Sequence, residues 1–306
     1  MNNLNSTHCA FPLLSLTLVL AASAPASASD FATSVLSYVA GSNAANGYTN
    51  PLVALGPPER FTGEGIDPGA VTPFQPCFLN SEIVSIGSGG SLTLAFNPPL
   101  LDHPGNPFGI DFIVFGNSFF TDGAYPNGSV SALAADGGAI EVTADGTHWF
   151  TIPSTLADGL FPTMGWIDAQ PYSLVAGTVA TDPRLPVNPA LTVSDVWGVS
   201  YAELVTLYGG SAGGSGVDLA RVGLSRAIAV RVSVAAGFNP NVEIDAVARV
   251  RAATHPADLD GNGSVDGIDL AAVLSAFGSA DATADINGNG VVDGPDLAAI
   301  LAGWSG

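Results

Sequence analysis

Aspartate and asparagine are concentrated in two short segments near the end of the chain. Residues 258–270 have the sequence DLDGNGSVDGIDL, and residues 285–297 have the sequence DINGNGVVDGPDL. The second segment repeats the first at an offset of 27 residues, and the match continues through Phe277 and Trp304. Ca²⁺ prefers about six to eight oxygen ligands from carboxylate, amide and carbonyl groups. The two segments therefore predict a duplicated calcium site.

The spacing assigns a ligand to each position of two twelve-residue loops. Such loops take ligands from positions 1, 3, 5, 7, 9 and 12, with glycine at position 6 and a backbone carbonyl at position 7. The first set is Asp258, Asp260, Asn262, the carbonyl of Ser264, Asp266 and Asp269. The second set is Asp285, Asn287, Asn289, the carbonyl of Val291, Asp293 and Asp296. The first loop has four carboxylates and the second has three, which predicts tighter Ca²⁺ binding in the first loop.

An amphipathic helix is predicted after each loop. Apolar residues recur at helical spacing in both repeats: Leu270, Val273, Leu274 and Phe277, then Leu297, Ile300, Leu301 and Trp304. Position 8 is Val265 or Val292, which predicts a short strand pairing the loops. Residues 258–306 contain eight aspartates and no lysine or arginine. We therefore expect this small module to fold only when cations bind.

This pattern resembles a type I dockerin: two calcium loop–helix repeats with aspartate at position 12 and no helix before the first loop. The resemblance covers residues 258–306. It implies two bound Ca²⁺ ions and docking to a cohesin-type domain on another protein. In many dockerins, positions 10 and 11 help to choose the cohesin. Here they are Gly267 and Ile268, then Gly294 and Pro295, unlike the hydroxylated pair of cellulosomal dockerins.

Composition and the amino-terminal segment predict an exported protein. The chain has 306 residues, a formal charge of −20 and no lysine, which disfavours nucleic acid and anionic membranes as partners. The apolar stretch at 11–22 is too short to span a bilayer, and ASA follows at 26–28. We predict a signal peptide over 1–28, hence a secreted or cell-surface bacterial protein without a transmembrane anchor. Cys77 is then the one cysteine left, expected to be buried.

Residues 29–250 are predicted to form a mainly β domain, joined by a linker over 251–257 to the 258–306 module. Alternating or short apolar runs predict strands at 91–97, 109–116, 139–145, 148–153, 227–235 and 242–250. Asp145-Gly146 predicts a hairpin turn, and 200–208 predicts a short helix. Residues 154–226 contain few strand signals, so this part has either unrecognised strands or long loops. We expect a β-sandwich.

Several phrases resemble a family of bacterial cell-surface proteins with a galactose-binding-like jelly roll. They are DFIVFGN at 111–117, IEVTADGTHWFTI at 140–152, GGSGVDLARVG at 213–223 and EIDAVARV at 243–250. The resemblance implies glycan binding at the loop ends and a further structural calcium ion. Candidates for that ion are Asp111, Asn117, Asp218 and Asp245, with ordinary turn and cap aspartates as the alternative. Gly116 stands where many relatives have glutamate.

No catalytic or organic-cofactor residues are predicted, because no nucleophile elbow, zinc-protease or P-loop motif is present. Trp166 and Trp197 are candidates for stacking on sugars, whereas Trp149 is expected to pack in the core.

The sequence leads to two hypotheses on function. The first is a non-catalytic calcium-binding protein, whose dockerin-like module docks to a cohesin and whose β-sandwich serves recognition, including of polysaccharide. The second is a dockerin-tethered glycoside hydrolase or similar extracellular enzyme.

Overall fold

The structure is a computed structural model that describes residues 30–63, 68–238, 241–252, 255–259 and 265–304. The expected signal peptide and the predicted ligands Asp260, Asn262 and Ser264 lie outside these residues. Within them, no helix has the length and apolar character needed to cross a bilayer.

The fold is mainly β, as predicted, and its sheets are antiparallel. The strands are β1 (Ser34–Val39), β2 (Phe61–Thr62), β3 (Gly69–Ala70), β4 (Val84–Ile86), β5 (Ser91–Leu101), β6 (Phe112–Gly116), β7 (Phe119–Asp122), β8 (Val130–Ala134), β9 (Gly137–Thr143), β10 (Phe150–Asp158), β11 (Ser215–Val217), β12 (Arg226–Ser233) and β13 (Val242–Arg249). The helices are α1 (Val193–Val196), α2 (Tyr201–Tyr208), α3 (Gly267–Ala276) and α4 (Gly294–Ala302). All six strands predicted above and the predicted helix at 200–208 are confirmed.

Two sheets share the main apolar core. The larger has the strand order β1-β5-β12-β9-β10, and the other has the order β11-β6-β13-β4. Alternating residues such as Leu92 and Leu94 of β5 point inward, and Phe112 and Val114 of β6 meet them in the same cluster. Each such side chain contributes about 1.5–3 kcal/mol by leaving water. The predicted hairpin is also present, with Gly146 at φ +82° between β9 and β10.

The stretch 154–226 consists mostly of long loops, which decides between the two alternatives raised by the sequence. Among the described residues it is interrupted by the end of β10, the short helices α1 and α2, β11, a 3-10 turn at Leu219–Val222 and the first residue of β12. These loops have their own core, in which Phe161, Met164 and Tyr208 pack against Phe74 and Phe120. The hydroxyl of Tyr208 donates a hydrogen bond to the carbonyl of Pro162 at 2.7 Å. Their apolar contacts make these loops an ordered layer over one part of the β domain.

The C-terminal module has a small core that is itself a repeat. Its six buried residues form three pairs separated by 27 residues: Ala257 with Ala284, Val265 with Val292, and Val273 with Ile300. The predicted apolar stripe is only partly correct, because Leu274 and Leu301 are 54% and 62% exposed. Only one residue of each helix, Val273 or Ile300, is fully buried and apolar.

Candidate metal centre

The second predicted calcium loop has its side-chain oxygens held in place by its own backbone. The N–H of Gly290 donates to Asp285 Oδ2 at 2.6 Å, and the N–H of Asn289 donates to Asn287 Oδ1 at 2.9 Å. The N–H of Val291 donates to Asn289 Oδ1 at 2.9 Å. Gly290, at loop position 6, has φ +92°, a conformation that glycine adopts readily. The N–H groups of three successive loop residues thus direct oxygens from positions 1, 3 and 5 into one bend.

Asp296, at position 12, joins the two ends of this loop. It is fully buried. Its Oδ1 accepts the N–H of Asn287 at 3.1 Å, and its Oδ2 accepts the N–H of Asp293 at 2.9 Å. The backbone N–H groups of Asp293 and Asn287 lower the pKa of this carboxyl below its usual value. Asp296 therefore stays a carboxylate at neutral pH, the form that binds a hard cation.

Asp293, at position 9, carries the observation that most directly indicates a bound ion. Its Oδ1 is enclosed by protein yet has no hydrogen-bond partner among the described residues. Leaving a charged oxygen buried without a partner costs more than the roughly 1–3 kcal/mol of a neutral group. No lysine or arginine exists in this module to neutralise it. A cation in the loop would supply the missing interaction.

The first loop holds its position-12 carboxylate in a similar way where it is described. Its Asp266 Oδ1, however, has a backbone partner that Asp293 Oδ1 lacks among the described residues, because Pro295 has no N–H at the position of Ile268. Asp269 is fully buried and accepts the N–H of Leu259 at 2.7 Å and that of Asp266 at 2.8 Å. Asp266 begins helix α3, where its Oδ1 accepts the N–H of Ile268 at 2.7 Å. Such an N-cap bond satisfies one of the helix's otherwise unpaired donors. Position 1, Asp258, is half-buried, so three of the six predicted ligands are placed and equivalent to those of loop two.

The predicted strand pairing between the two position-8 valines is wrong for Val292. Val292 is buried as expected, but its backbone exchanges hydrogen bonds with Gly278 and Ser279, which follow helix α3. Both bonds are 2.8 Å long. The second loop is thereby tied to the end of the first helix. The apolar character of position 8 correctly predicted burial and not strand formation.

The β domain holds a separate acidic cluster that includes two of the four predicted residues. One carboxylate oxygen from each of Asp102, Asp111 and Asp218 lies within 4.8 Å of the others. Pairing of β6 with β11 explains the meeting, because Asp111 directly precedes β6 and Asp218 directly follows β11. Desolvation by burial raises the pKa of Asp111 to about 6, although Leu219 and Asn106 donate hydrogen bonds to it. The sequence did not single out Asp102.

The other two predicted residues do not join that cluster. Asp245 is buried on β13 and accepts the N–H of Glu59 at 2.9 Å. Desolvation raises its pKa well above the usual value, with Glu59 and Glu82 contributing. Cys77 is fully buried beside these acids, which confirms its predicted burial. Asn117 is half-buried just after β6. The predicted four-residue site is therefore two residues plus Asp102.

The structure also shows acidic neighbours that the sequence did not reveal. A Cβ on Gly116 would lie 2.3 Å from Asp158 Oδ1, so the Asp158 carboxylate fills the space of a side chain there. Asp158 is buried, and its oxygens accept the N–H groups of Ser118 and Asp136, both at 2.8 Å. Desolvation raises the pKa of Asp158 to about 6 and that of nearby Glu243 to about 7. The carboxylate of Asp158, the last residue of β10, therefore lies next to Gly116.

The two tryptophans predicted as candidates for stacking on sugars differ in exposure. Trp197 is 60% exposed, whereas Trp166 is half-buried and donates its Nε1 hydrogen to the Arg60 carbonyl at 2.9 Å. Trp149 is half-buried with the Arg231 guanidinium 4.1 Å from its ring centre. The expectation that Trp149 packs in the core is therefore wrong. Its ring forms a cation–π contact at the sheet surface.

Comparison of the chain with known protein families and with curated proteins finds no match. Its function is consequently inferred from its own residues. The arrangement best defined by them is a pair of oxygen-rich loops, related by a constant offset of 27 residues, in a module without lysine or arginine.

Proposed function

We propose that residues 258–306 form a dockerin-like module that binds two Ca²⁺ ions and docks the protein to a cohesin-type domain. The observation that carries this proposal is the enclosed, unpartnered Oδ1 of Asp293 in a loop whose other oxygens are directed inward. Ca²⁺ fits the donors, because they are all oxygens and include several carboxylates. Asp266 and Asp269 of the first loop repeat the positions of Asp293 and Asp296.

The outer faces of the two helices support docking to a protein partner. Leu274 and Leu301 are exposed at equivalent positions of the repeat, and so are Phe277 and Trp304, at 53% and 43%. Ile268, at loop position 11, is 60% exposed. Several large apolar side chains exposed on one small module are typical of an interaction surface. In this proposal they contact the cohesin, and the apolar choice at position 11 selects a partner different from cellulosomal ones.

The mainly β domain, residues 29–250, is in this proposal a galactose-binding-like β-sandwich that serves recognition or structure. Its two antiparallel sheets with a common core support the sandwich. The apolar segment at 11–22 supports export, and in this proposal the protein lies outside the bacterial cell or on its surface. Polysaccharide is the ligand class proposed for the loop ends, where Trp197 offers an exposed ring. The cluster of Asp102, Asp111 and Asp218 has the donor type for a further structural calcium ion.

A pull-down with the full mature chain tests the docking. Cohesin-bearing extracellular proteins from bacterial culture are captured in calcium and in EDTA. We expect capture only in calcium, and its loss when Leu274→Ser and Leu301→Ser are combined. Leu174→Ser is the matched control, because Leu174 is a 64% exposed leucine of the β domain. Equal capture in calcium and EDTA, or by the paired helix variant, contradicts the proposal.

The second candidate function is hydrolysis of polysaccharide by the β domain, and one residue favours it. Glycoside hydrolysis needs a general acid with a raised pKa near a second carboxylate. Asp158 has a pKa raised to about 6 by desolvation, lines a cavity and accepts a hydrogen bond from the backbone of Asp136. Release of reducing ends from a polysaccharide panel, abolished by Asp158→Asn, would establish this function. Binding without release would reject it.

A further inference from the structure

A cavity of about 770 Å³ opens beside the ends of β9 and β10. Its volume is that of a site for a drug-sized small molecule. Four large apolar side chains line it while remaining exposed to solvent: Phe108 at 57%, Leu156 at 55%, Val193 at 37% and Phe238 at 51%. Exposed apolar residues grouped around a cavity are unfavourable in water unless a ligand covers them.

The polar groups of the cavity are mainly acidic. Three carboxylates line it, those of Asp136, Asp158 and Asp218, against one guanidinium, that of Arg221. Asp158 is 1% exposed and Asp136 is exposed. Desolvation raises the pKa of both carboxyls. A positive charge in the cavity would oppose that effect and stabilise the ionised forms.

The backbone around the cavity is held in unusual conformations. Phe108 and Ser154 both line it and both have φ +59°. They are two of the three non-glycine residues with positive φ in the described part of the chain; the third is Asn43. Such conformations cost about 1–3 kcal/mol each and are concentrated at functional sites. Two such residues line this cavity, which indicates that its shape is retained although both backbone conformations are unfavourable.

We propose that this cavity binds an apolar small molecule that carries an ammonium group. The apolar body contacts Phe108, Leu156 and Phe238, and the ammonium lies near Asp136 and Asp158. None of the described lining side chains is tryptophan or tyrosine, the residues that usually stack on sugar rings. The charge of −20 over the whole chain further attracts cations and repels anions.

Three probes of similar size separate the contributions of charge and apolar contact. Phenylbutylamine, phenylbutanol and phenylbutanoate are titrated calorimetrically into the full mature chain in excess calcium at neutral pH. We expect the amine to bind, the alcohol to bind at least about tenfold more weakly, and the carboxylate to give no measurable binding, because hydrogen bonds to charged groups are the stronger ones.

Two variants locate the probe. Leu156→Ser should weaken the amine and the alcohol by a similar factor of about five to ten, since it removes apolar contact alone. Leu174→Ser, on an equally exposed leucine outside the cavity, should change neither. Asp158→Asn should reduce the preference for amine over alcohol to less than about threefold, by removing the charge. The leucine pair remains informative if Asp158→Asn does not fold.

Three results would each overturn the assignment. One is a carboxylate probe that binds as tightly as the amine, which would indicate an anion site at Arg221. Another is amine binding unaffected by Leu156→Ser. The last is no binding of any probe at millimolar concentration. Displacement of bound amine by neutral oligosaccharides would also count against it and would assign the cavity to sugar recognition.

Discussion

Replacing Glu243 by glutamine should remove one part of the pH dependence of this protein's stability, the part that arises from this carboxyl. Glu243 is 8% exposed on β13, and its Oε1 accepts the Ser85 hydroxyl at 2.9 Å. Desolvation raises its pKa from 4.5 to about 7; Asp136 and Asp158 add to the rise, while the Ser85 bond opposes it. Glutamine keeps the size and the Ser85 acceptor but never ionises.

The direction in which stability changes with pH follows from the protonation of Glu243 in the folded and in the unfolded state. The folded state holds a proton on Glu243 that the unfolded state has released once the pH exceeds 4.5, so stability falls as pH rises. The contribution of protonated Glu243 to the free energy of unfolding is fully present below pH 4.5 and is lost as pH rises through about 7. At about 1.4 kcal/mol per pKa unit, the difference is about 3 kcal/mol. We expect the native protein and Glu243→Gln to be similarly stable at pH 4.5 and to differ by about this amount at pH 8, where the variant is the more stable.

Urea unfolding followed by tryptophan fluorescence, in excess calcium and across that pH range, measures the difference. Glu203→Gln is the control, because Glu203 is an exposed capping residue whose pKa is lowered by the Ser200 hydroxyl and N–H. Its contribution is lost only as pH falls through that lowered pKa, so it should add no slope between pH 5 and 8. A difference between native and Glu243→Gln that does not vary with pH would refute the reasoning.

Three more predictions concern packing, a buried hydroxyl and the two calcium loops. Gly116→Ala should destabilise by about 1–3 kcal/mol or more in chemical denaturation, since its Cβ would meet Asp158 at 2.3 Å. Gly63→Ala should be tolerated, because the nearest atom to its Cβ among the described residues would be 3.6 Å away. Tyr208→Phe should cost about 1–3 kcal/mol of unfolding free energy by leaving a buried carbonyl without its donor, and the same change at the 74% exposed Tyr125 should cost little. In calcium titrations, removing one carboxylate from the first loop should abolish the tighter of two binding events, because that loop has four carboxylates against three; loss of the weaker event would contradict the ranking.

Local patterns in the sequence were sufficient to predict the repeat and six of the nine strands of the two larger sheets. The offset of 27 residues correctly predicted the paired core of Val273 with Ile300, since identical spacing in two helices places equivalent residues inward. Alternation predicted β5 and β12 because one face of each strand is buried. The exposure of Leu274 was not predictable, because helical periodicity does not distinguish a core face from a docking face.

Contacts between residues far apart in the chain could not be predicted from the sequence. Asp158 fills the space at Gly116 from 42 residues away, and nothing in either segment alone indicates that they meet. The joining of Asp102 to Asp111 and Asp218 depends on how the two sheets pack, because Asp102 follows β5 of one sheet and the other two residues flank β6 and β11 of the other. The strand pattern around Trp149 predicted burial in the core, but Arg231 on β12, separated from β10 by β9, holds its ring at the surface. Each outcome is decided by how the strands and sheets are arranged in space.

Calcium titration of the full mature chain tests the central claim most directly. Isothermal calorimetry should show two ions whose binding requires the carboxylates of the two loops, and far-UV circular dichroism should show helix gained with calcium and lost with EDTA. The combined changes Asp285→Ala and Asp293→Ala should leave one of these two ions, as should Asp258→Ala with Asp266→Ala. No heat with millimolar calcium, together with dichroism that is unchanged by EDTA, would contradict the account.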